Sequence, residues 1–406
     1  MTQWDDGRMD RDELLEVLSP AGLRLLDELP PYESQTDVVR LVGELRRAGH
    51  APGTVAAVLS QAKLRRKAVG KFGPFAERML FTEAGLEQAT RLRVAALHAG
   101  RFRDAGVTSV ADLGCGIGAD ALALASLDLE VQAVERDEVT AAIAAYNLMP
   151  WPNATVSQGD ALAHPLSPGQ GVYLDPARRT AGTRNTARVA DPADWSPSLV
   201  DAFAFGAERP TGVKLGPGVD RDLLPEGAEW QWVSVDGEVV EAGVWFGALA
   251  RDGIRRSALV LRDGAAAALT GAADAEDEPV IGLGRYLYEP DGAVIRARLI
   301  GDLARSLGAG MLAERIAYLS ADELRPTPFA QAFEVLEELP FQEKAIAKAL
   351  SARGIGRLEI KKRGADVDPA RLRTALKPKG PEEGTLIVTR VGGRHRALLA
   401  RRASTQ

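Results

Sequence analysis

Val110-Ala111-Asp112-Leu113-Gly114-Cys115-Gly116-Ile117-Gly118-Ala119-Asp120 is an apolar run that closes on three spaced glycines and leads into an alanine- and leucine-rich stretch. The pattern predicts a short strand, a sharp turn and a helix. Glycine tolerates the positive φ such a turn requires and lets the backbone approach a ligand, while the first N–H groups of the helix stay unpaired and point at it. A nucleotide-type cofactor site in an α/β fold is expected here.

Two cofactors fit the glycines. Gly114-x-Gly116-x-x-Ala119, with Glu135 about 20 residues on as a ribose ligand, satisfies the permissive dinucleotide pattern. Asp112 argues for the other. A carboxylate two residues before the first glycine sits at the carboxyl end of the strand, where a pyrophosphate gains nothing from added negative charge and a cationic sulfonium or ammonium is attracted. That cation points to S-adenosylmethionine. Further along, Glu130 to Glu135 reads as a second strand, followed by a helix through Asn147. A strand then leads to Ser157-Gln158-Gly159-Asp160-Ala161, and Gly171-Val172-Tyr173-Leu174 runs into Asp175-Pro176-Ala177-Arg178. The polar residues fall at strand ends, where open α/β sheets bind ligands.

Over roughly residues 75 to 265 the chain resembles the class I S-adenosylmethionine-dependent methyltransferases, which implies a Rossmann-like sheet. By that resemblance Asp112, Gly114, Gly116 and Gly118 form the first cofactor motif. Glu135 holds the ribose hydroxyls, Asp160 lies near the adenine amine, and Asp175-Pro176 forms the fourth motif at the substrate. Trp230 to Val235, Asp236-Gly237 and Glu238 to Phe246 read as a hairpin around a favoured two-residue turn. Methyltransferases of this class end their sheet with such an antiparallel strand. Phe81 to Thr90 resembles the family's lead-in helix, expected over the cofactor cleft.

Amino-group methyltransferases of this class carry Asp or Asn, then Pro, Pro and an aromatic in the fourth motif. Here Ala177 and Arg178 occupy the last two places, so the stacking aromatic is replaced. Arg178 and Arg179 offer guanidinium planes for a phosphate or a base, with a solvent-exposed turn as the alternative. Lys214, ending a fifth strand in Val213-Lys214-Leu215-Gly216, is a candidate for a substrate phosphate, with a structural lysine as the alternative. Asp160 can equally be a helix cap. Methyl transfer from a sulfonium is a direct displacement, so alignment and water exclusion are the expected contributions.

The 406 residues allow two or three domains. No uninterrupted apolar run reaches the roughly 18 residues a membrane helix needs, and Met1 to Asp6 lacks a signal peptide's basic start, so a cytoplasmic location without membrane contact is expected. Cys115 is the only cysteine. It lies in the cofactor turn, which argues against a covalent cysteine route to pyrimidine C5 and for direct transfer to nitrogen or oxygen. The histidines at 50, 98, 164 and 395 have no metal-ligand spacing, so no metal is expected.

Charge is concentrated at the end. Residues 341 to 406 hold 16 Lys plus Arg against 6 Asp plus Glu, a net of +10 in a chain whose total is −6. The same region reads as βαβαββ. It resembles the THUMP-like domain that follows methyltransferase domains in a bacterial family, through Leu358 to Gly364 and Leu386 to Gly393. That resemblance implies a ferredoxin-like α+β domain and an RNA partner, tRNA or rRNA. Lys361, Lys362 and Arg363 are the expected phosphate contacts, with a solvated basic face as the alternative. The chain start reads as helices at Arg11 to Leu18, Asp37 to Arg47 and Thr54 to Ala68, the last carrying a second basic strip that runs on to Lys71. The expected domains are an N-terminal helical region (1–74), a methyltransferase domain (75–265), a linker and connecting segment (266–328) and a THUMP-like domain (329–403). A small-molecule or protein methyltransferase, or an inactive cofactor- and RNA-binding protein, are the competing functions.

Overall fold

Apolar residues at three- and four-residue spacing fold the start of the chain into α1 (Arg11–Leu18), α2 (Pro20–Glu28), α3 (Gln35–Arg47) and α4 (Pro52–Phe72). The computed structural model describes residues 9–30, 35–178 and 195–403. The capping signal of α2 is local: the Ser19 hydroxyl accepts from Gly22 N at 2.9 Å, and Pro20 takes the first helical position. The chain divides into two compact units, residues 1–214 with 245–249 and residues 215–244 with 250–406.

The first unit continues with α5 (Glu83–Gln88), α6 (Leu92–Asp104), β1 (Ser109–Leu113), α7 (Ala119–Ser126), β2 (Glu130–Glu135), α8 (Glu138–Leu148), β3 (Ala154–Gln158) and β4 (Gly171–Leu174). The short pair β5 (Ala177–Arg178) and β6 (Trp195–Ser196), then α9 (Leu199–Ala204) and β7 (Thr211–Leu215), complete it. The parallel order β3-β2-β1-β4-β7 places the first strand in the middle of these strands. The order reverses at β1 and β4, so the ligand crevice opens at their carboxyl ends. The N-terminal helices are not a separate body. Val17, Val58 and Leu64 share one apolar cluster with Phe81, Phe102, Val110 and Leu122, because each helix has one apolar face and only this core buries it.

In the second unit β8 (Glu229–Val235) and β9 (Glu238–Phe246) form the expected hairpin, with Asp236 at φ 52° and Gly237 at φ 88° as its turn. β10 (Arg256–Arg262) lies parallel to β8, and β11 (Ala265–Gly271) pairs antiparallel with β10. The start of the segment expected as a linker (266–328) is therefore a strand. Small side chains suit an edge strand as well as a spacer, and the Asp263-Gly264 turn, at φ 50° and 82°, was its overlooked signal. The rest of the expected connecting segment also folds, into β12 (Tyr286–Pro290), α10 (Gly292–Arg296), α11 (Ile300–Leu307), β13 (Gly310–Ala313) and β14 (Ile316–Ala321).

The tail then gives β15 (Ala330–Pro340), α12 (Glu343–Ala352), β16 (Ile355–Lys362), α13 (Pro369–Leu376), β17 (Glu382–Val391) and β18 (Arg394–Arg402), in the expected βαβαββ order. Its four strands extend into seven, β13-β14-β12-β15-β18-β17-β16, by recruiting the three upstream strands. That sheet curls. Lys361 on the edge strand β16 reaches Glu289 on β12 at 2.7 Å although three strands lie between them in the order. One face packs on α12 and α13 through Ile346, Leu350, Leu372 and Leu376, and a second cluster holds Leu287, Tyr318, Phe333 and Leu398.

Candidate active site

The three glycines all take positive φ, 91° at Gly114, 56° at Gly116 and 86° at Gly118, which is the conformation the turn was expected to need. Val134 O accepts from Gly114 N at 2.8 Å and from Cys115 N at 3.0 Å, tying the turn to β2. Glu135, at the end of that strand, accepts from Gly116 N on one oxygen at 3.0 Å and from Asp137 N on the other at 2.9 Å. The glycine loop and the acidic residue are thus brought together. Asp160 is exposed and accepts from Leu162 N at 2.9 Å, so its visible work is to cap a short turn. The preceding Gly159 N donates to Glu135 O at 3.0 Å, which keeps the two acidic residues on neighbouring strand ends.

Asp112 is 1% exposed, and its Oδ2 has no hydrogen-bond partner among the described residues. Burial first, then Asp120 and Asp175, pushes its carboxyl well above the ordinary range; Lys214 and the Ala121 N–H oppose this. A buried carboxylate oxygen without a partner beside a glycine turn suits a ligand that carries positive charge. Asp120 is also buried, accepts from the Thr90 hydroxyl at 2.6 Å, and lies 2.9 Å from His98 Nδ1. The Tyr173 hydroxyl lies 2.9 Å from the same nitrogen. His98 is therefore a satisfied core histidine. Burial raises the Asp120 carboxyl, but the His98 hydrogen bond, the His98 and Lys214 charges and the Thr90 hydrogen bond outweigh it and hold it below the usual range.

Asp175 and Lys214 occupy the same rung. The register Leu174↔Val213 between β4 and β7 brings the next residue of each strand side by side, and the Lys214 ammonium is ion-paired with Asp175 Oδ2. The Lys214 side chain is 10% exposed and that of Asp175 37%. In this structure the partner of Lys214 is a carboxylate, and its burial makes an unpaired ammonium there costly. Pro176 is buried, Ala177–Arg178 pairs with Trp195–Ser196 in a two-residue ladder, and Arg179 lies outside the described residues. Cys115 is buried, and burial, then Asp112 and Glu135, pushes its thiol well up, which disfavours a thiolate.

The basic run on β16 is divided by strand alternation. Lys361 lies 2.7 Å from Glu289 Oε2 and Arg363 3.8 Å from Glu289 Oε1, while Lys362 is exposed. Lys361 and Arg363 are thus internal partners of Glu289, against the expectation that all three contact phosphate. Lys71, read as part of a basic strip, donates to the carbonyls of Leu86 at 2.8 Å, Glu87 at 2.7 Å and Ala89 at 2.9 Å. Burial first, then Arg91 and Lys214, lowers its ammonium to about 8. Among the described residues no group of three or more His, Cys, Asp or Glu is placed to hold a metal, and no helix is long and apolar enough to cross a membrane.

Residues 330–402 match a family described as THUMP domain-like, and residues 10–68 match a domain of unknown function. An uncharacterized S-adenosylmethionine-dependent methyltransferase of Mycobacterium tuberculosis, present in strains CDC 1551 and H37Rv, is 35% identical over 338 residues, covering 81% of this chain and 91% of its own length. A crystal structure from Porphyromonas gingivalis W83, named for a methyltransferase, shares the fold with a TM-score of 0.70 at 20% identity, covering 92% of this chain and 100% of that one. The glycine turn, its acidic neighbours and these relatives agree: the chain belongs to the S-adenosylmethionine-dependent methyltransferases, with S-adenosylmethionine as its cofactor.

Proposed function

We propose that this methyltransferase acts on RNA, a tRNA or an rRNA, and transfers the methyl group directly to a nitrogen or oxygen of a nucleotide. The observation that carries the RNA reading is the THUMP domain-like match at residues 330–402, in a tail whose helices present exposed cations with no ion-pair partner among the described residues. Lys344 and Lys348 on α12, Arg371 and Arg373 on α13, and Lys377 and Lys379 after it are all exposed. In the same region Arg357, Arg396 and Arg402 on the strands pair with Glu383, Glu338 and Glu359, and Arg353, just after α12, pairs with Glu337. The helical face takes the place of Lys361 and Arg363 as the phosphate-contacting surface, with exposed Lys362 beside it.

In the cleft, Asp112 meets the positive end of the cofactor and Glu135 the ribose hydroxyls. Each Glu135 oxygen that accepts a backbone N–H keeps a second lone pair for this. Gly114, Gly116 and Gly118 let the backbone lie against the cofactor, and Asp160 faces the adenine side. When bound, the cofactor supplies an electrophilic methyl on a sulfonium. Asp175, fixed by Lys214, and the Pro176 carbonyl accept hydrogen bonds from the nucleotide group to be methylated, while Arg178 and Arg179 hold a flanking phosphate or base plane. The high thiol pKa of buried Cys115 supports direct transfer over a covalent cysteine route.

Transfer of labelled methyl from S-adenosylmethionine to total RNA of cells lacking the gene tests the reading. We expect label in a discrete RNA with the wild-type chain and at least a 100-fold loss with Asp175→Ala, which retains cofactor and RNA binding. Label confined to a protein fraction or to small molecules would overturn the RNA substrate. Undiminished transfer by Asp175→Ala would overturn the site.

A further inference from the structure

The segment Met79 to Thr90 runs between the last N-terminal helix and the glycine loop. Its first part, Met79 to Phe81, has neither helix nor strand, yet these residues are 3%, 0% and 0% exposed. A buried stretch without a ladder must find partners for its backbone groups elsewhere, and here side chains supply them. Gln61 of α4 donates Nε2 to Phe81 O at 2.7 Å and accepts Phe81 N on Oε1 at 3.0 Å. Arg65 of the same helix donates to Met79 O at 2.9 Å. Lys71, at the end of that helix, caps the last carbonyls of α5 with its three donors.

The same segment is fastened to the cofactor loop. Asn147 of α8 accepts Leu80 N at 2.8 Å and donates Nδ2 both to Leu80 O at 3.0 Å and to Ile117 O at 2.9 Å. Ile117 lies between the second and third glycines. Gly85 in α5 packs so closely on it that an added Cβ would come 2.5 Å from the Ile117 Cγ2. Thr90 closes the segment on Asp120, the first acidic residue of α7. One strap is therefore held by α4 through its backbone and touches the glycine turn at Ile117 and the first turn of α7 at Asp120.

We infer that α4 braces the cofactor loop: Gln61, Arg65 and Lys71 are positioning residues that set the S-adenosylmethionine site through the strap 79–90. This gives the domain of unknown function at residues 10–68 a role in cofactor binding, and it rests on the reading of the glycine turn as the cofactor site. Because α4 grips carbonyls and N–H groups, the brace acts whatever side chains the strap carries. A shift of the strap moves Ile117 directly, since close-packed contacts transmit displacement with little give.

The test is calorimetric titration of the full chain with S-adenosylmethionine, alongside melting temperature and binding of bulk tRNA. Lys71→Met keeps the apolar stem and removes three donors; Gln61→Leu leaves both Phe81 backbone groups unpaired. Each is expected to weaken cofactor binding 10-fold or more with unchanged tRNA binding, and Lys71→Arg to restore it to within about 3-fold. Gly85→Ala disturbs the strap without touching α4 and should weaken the cofactor similarly, even where an α4 variant fails to fold. Leu26→Ala, in the same apolar cluster, is the control for lost stability: it should lower the melting temperature and leave cofactor affinity intact. The inference fails if the folded α4 variants bind the cofactor within 2-fold of wild type, whatever Gly85→Ala does, or if Leu26→Ala weakens it as much as they do. Glu135→Ala separates the two readings, because unchanged cofactor affinity in that variant would place the fault in the site itself.

Discussion

At the scale of single residues, the opposite behaviour of Asp112 and Asp120 is the most useful handle on the site. Both are buried carboxylates near Lys214, but Asp120 has His98 and Thr90 as partners whereas Asp112 Oδ2 has none among the described residues. With its pKa raised on folding, Asp112 keeps a proton that the unfolded chain releases near pH 4. Stability through this residue is therefore full below the unfolded pKa and falls as pH rises toward the folded one. Asp112→Asn should remove that slope, so urea unfolding will find the variant gaining on wild type from pH 5 to 8. A sulfonium ligand reverses the balance by favouring the carboxylate, so cofactor binding should release protons. Titrations in buffers of different ionisation enthalpy will read that release in wild type and its loss in the variant, whose affinity should drop 10-fold or more. Asp120 has the other sign: its contribution is present above the unfolded pKa and is lost in acid below it. The Asp112 motif was legible because all its parts are contiguous. The Asp175–Lys214 pair was not, since its residues lie far apart in sequence and meet only through the register of β4 on β7.

At the scale of elements, legibility followed the strength of the local signal. β1, β4, the β8–β9 hairpin and the βαβαββ tail were readable because short apolar runs end in turn residues, and at Gly114, Asp236-Gly237 and Gly392-Gly393 the observed positive φ matches the turn. The lead-in helix was over-read: of Phe81 to Thr90 only Glu83–Gln88 is helical, because Phe81 spends its N–H and C=O on Gln61. No local pattern announces a glutamine 20 residues upstream as a backbone partner. The turn into α7 gives a prediction at this scale. Gly118 caps that helix at φ 86°, and a Cβ there would meet Leu148 Cδ1 at 3.4 Å. Contact alone is tolerable, so the penalty is conformational, about 1–2 kcal/mol for a left-handed alanine. Gly118→Ala should lower stability by that amount in denaturant melts. It should also weaken cofactor binding more than Gly218→Ala, whose Cβ meets nothing within 4 Å and whose φ is not positive.

At the scale of the whole molecule, charge placement separates cations paired within the fold from cations left exposed. The tail's net +10 in a chain of −6 was visible in the sequence, but which cations are free was not. Strand alternation and the curl of the seven-stranded sheet assign Lys361 and Arg363 to Glu289, and the helices leave Lys344, Lys348, Arg371 and Lys377 exposed. These two sets should respond differently to substitution. Replacing the four helix cations by Gln should reduce the slope of log affinity against log salt by about 3 to 4 for duplex RNA, since each neutralised phosphate contributes roughly 0.9. Melting temperature should stay near wild type, because exposed charges carry little stability. Lys361→Gln should do the reverse, leaving the salt slope intact while lowering stability, since it strips a partly buried partner from Glu289 and a cation from the Phe333 ring 5.7 Å away. A slope unchanged by the helix substitutions and reduced by Lys361→Gln would mean that RNA opens the Glu289 cluster on binding and that the basic run on β16, not the helical face, is the docking surface.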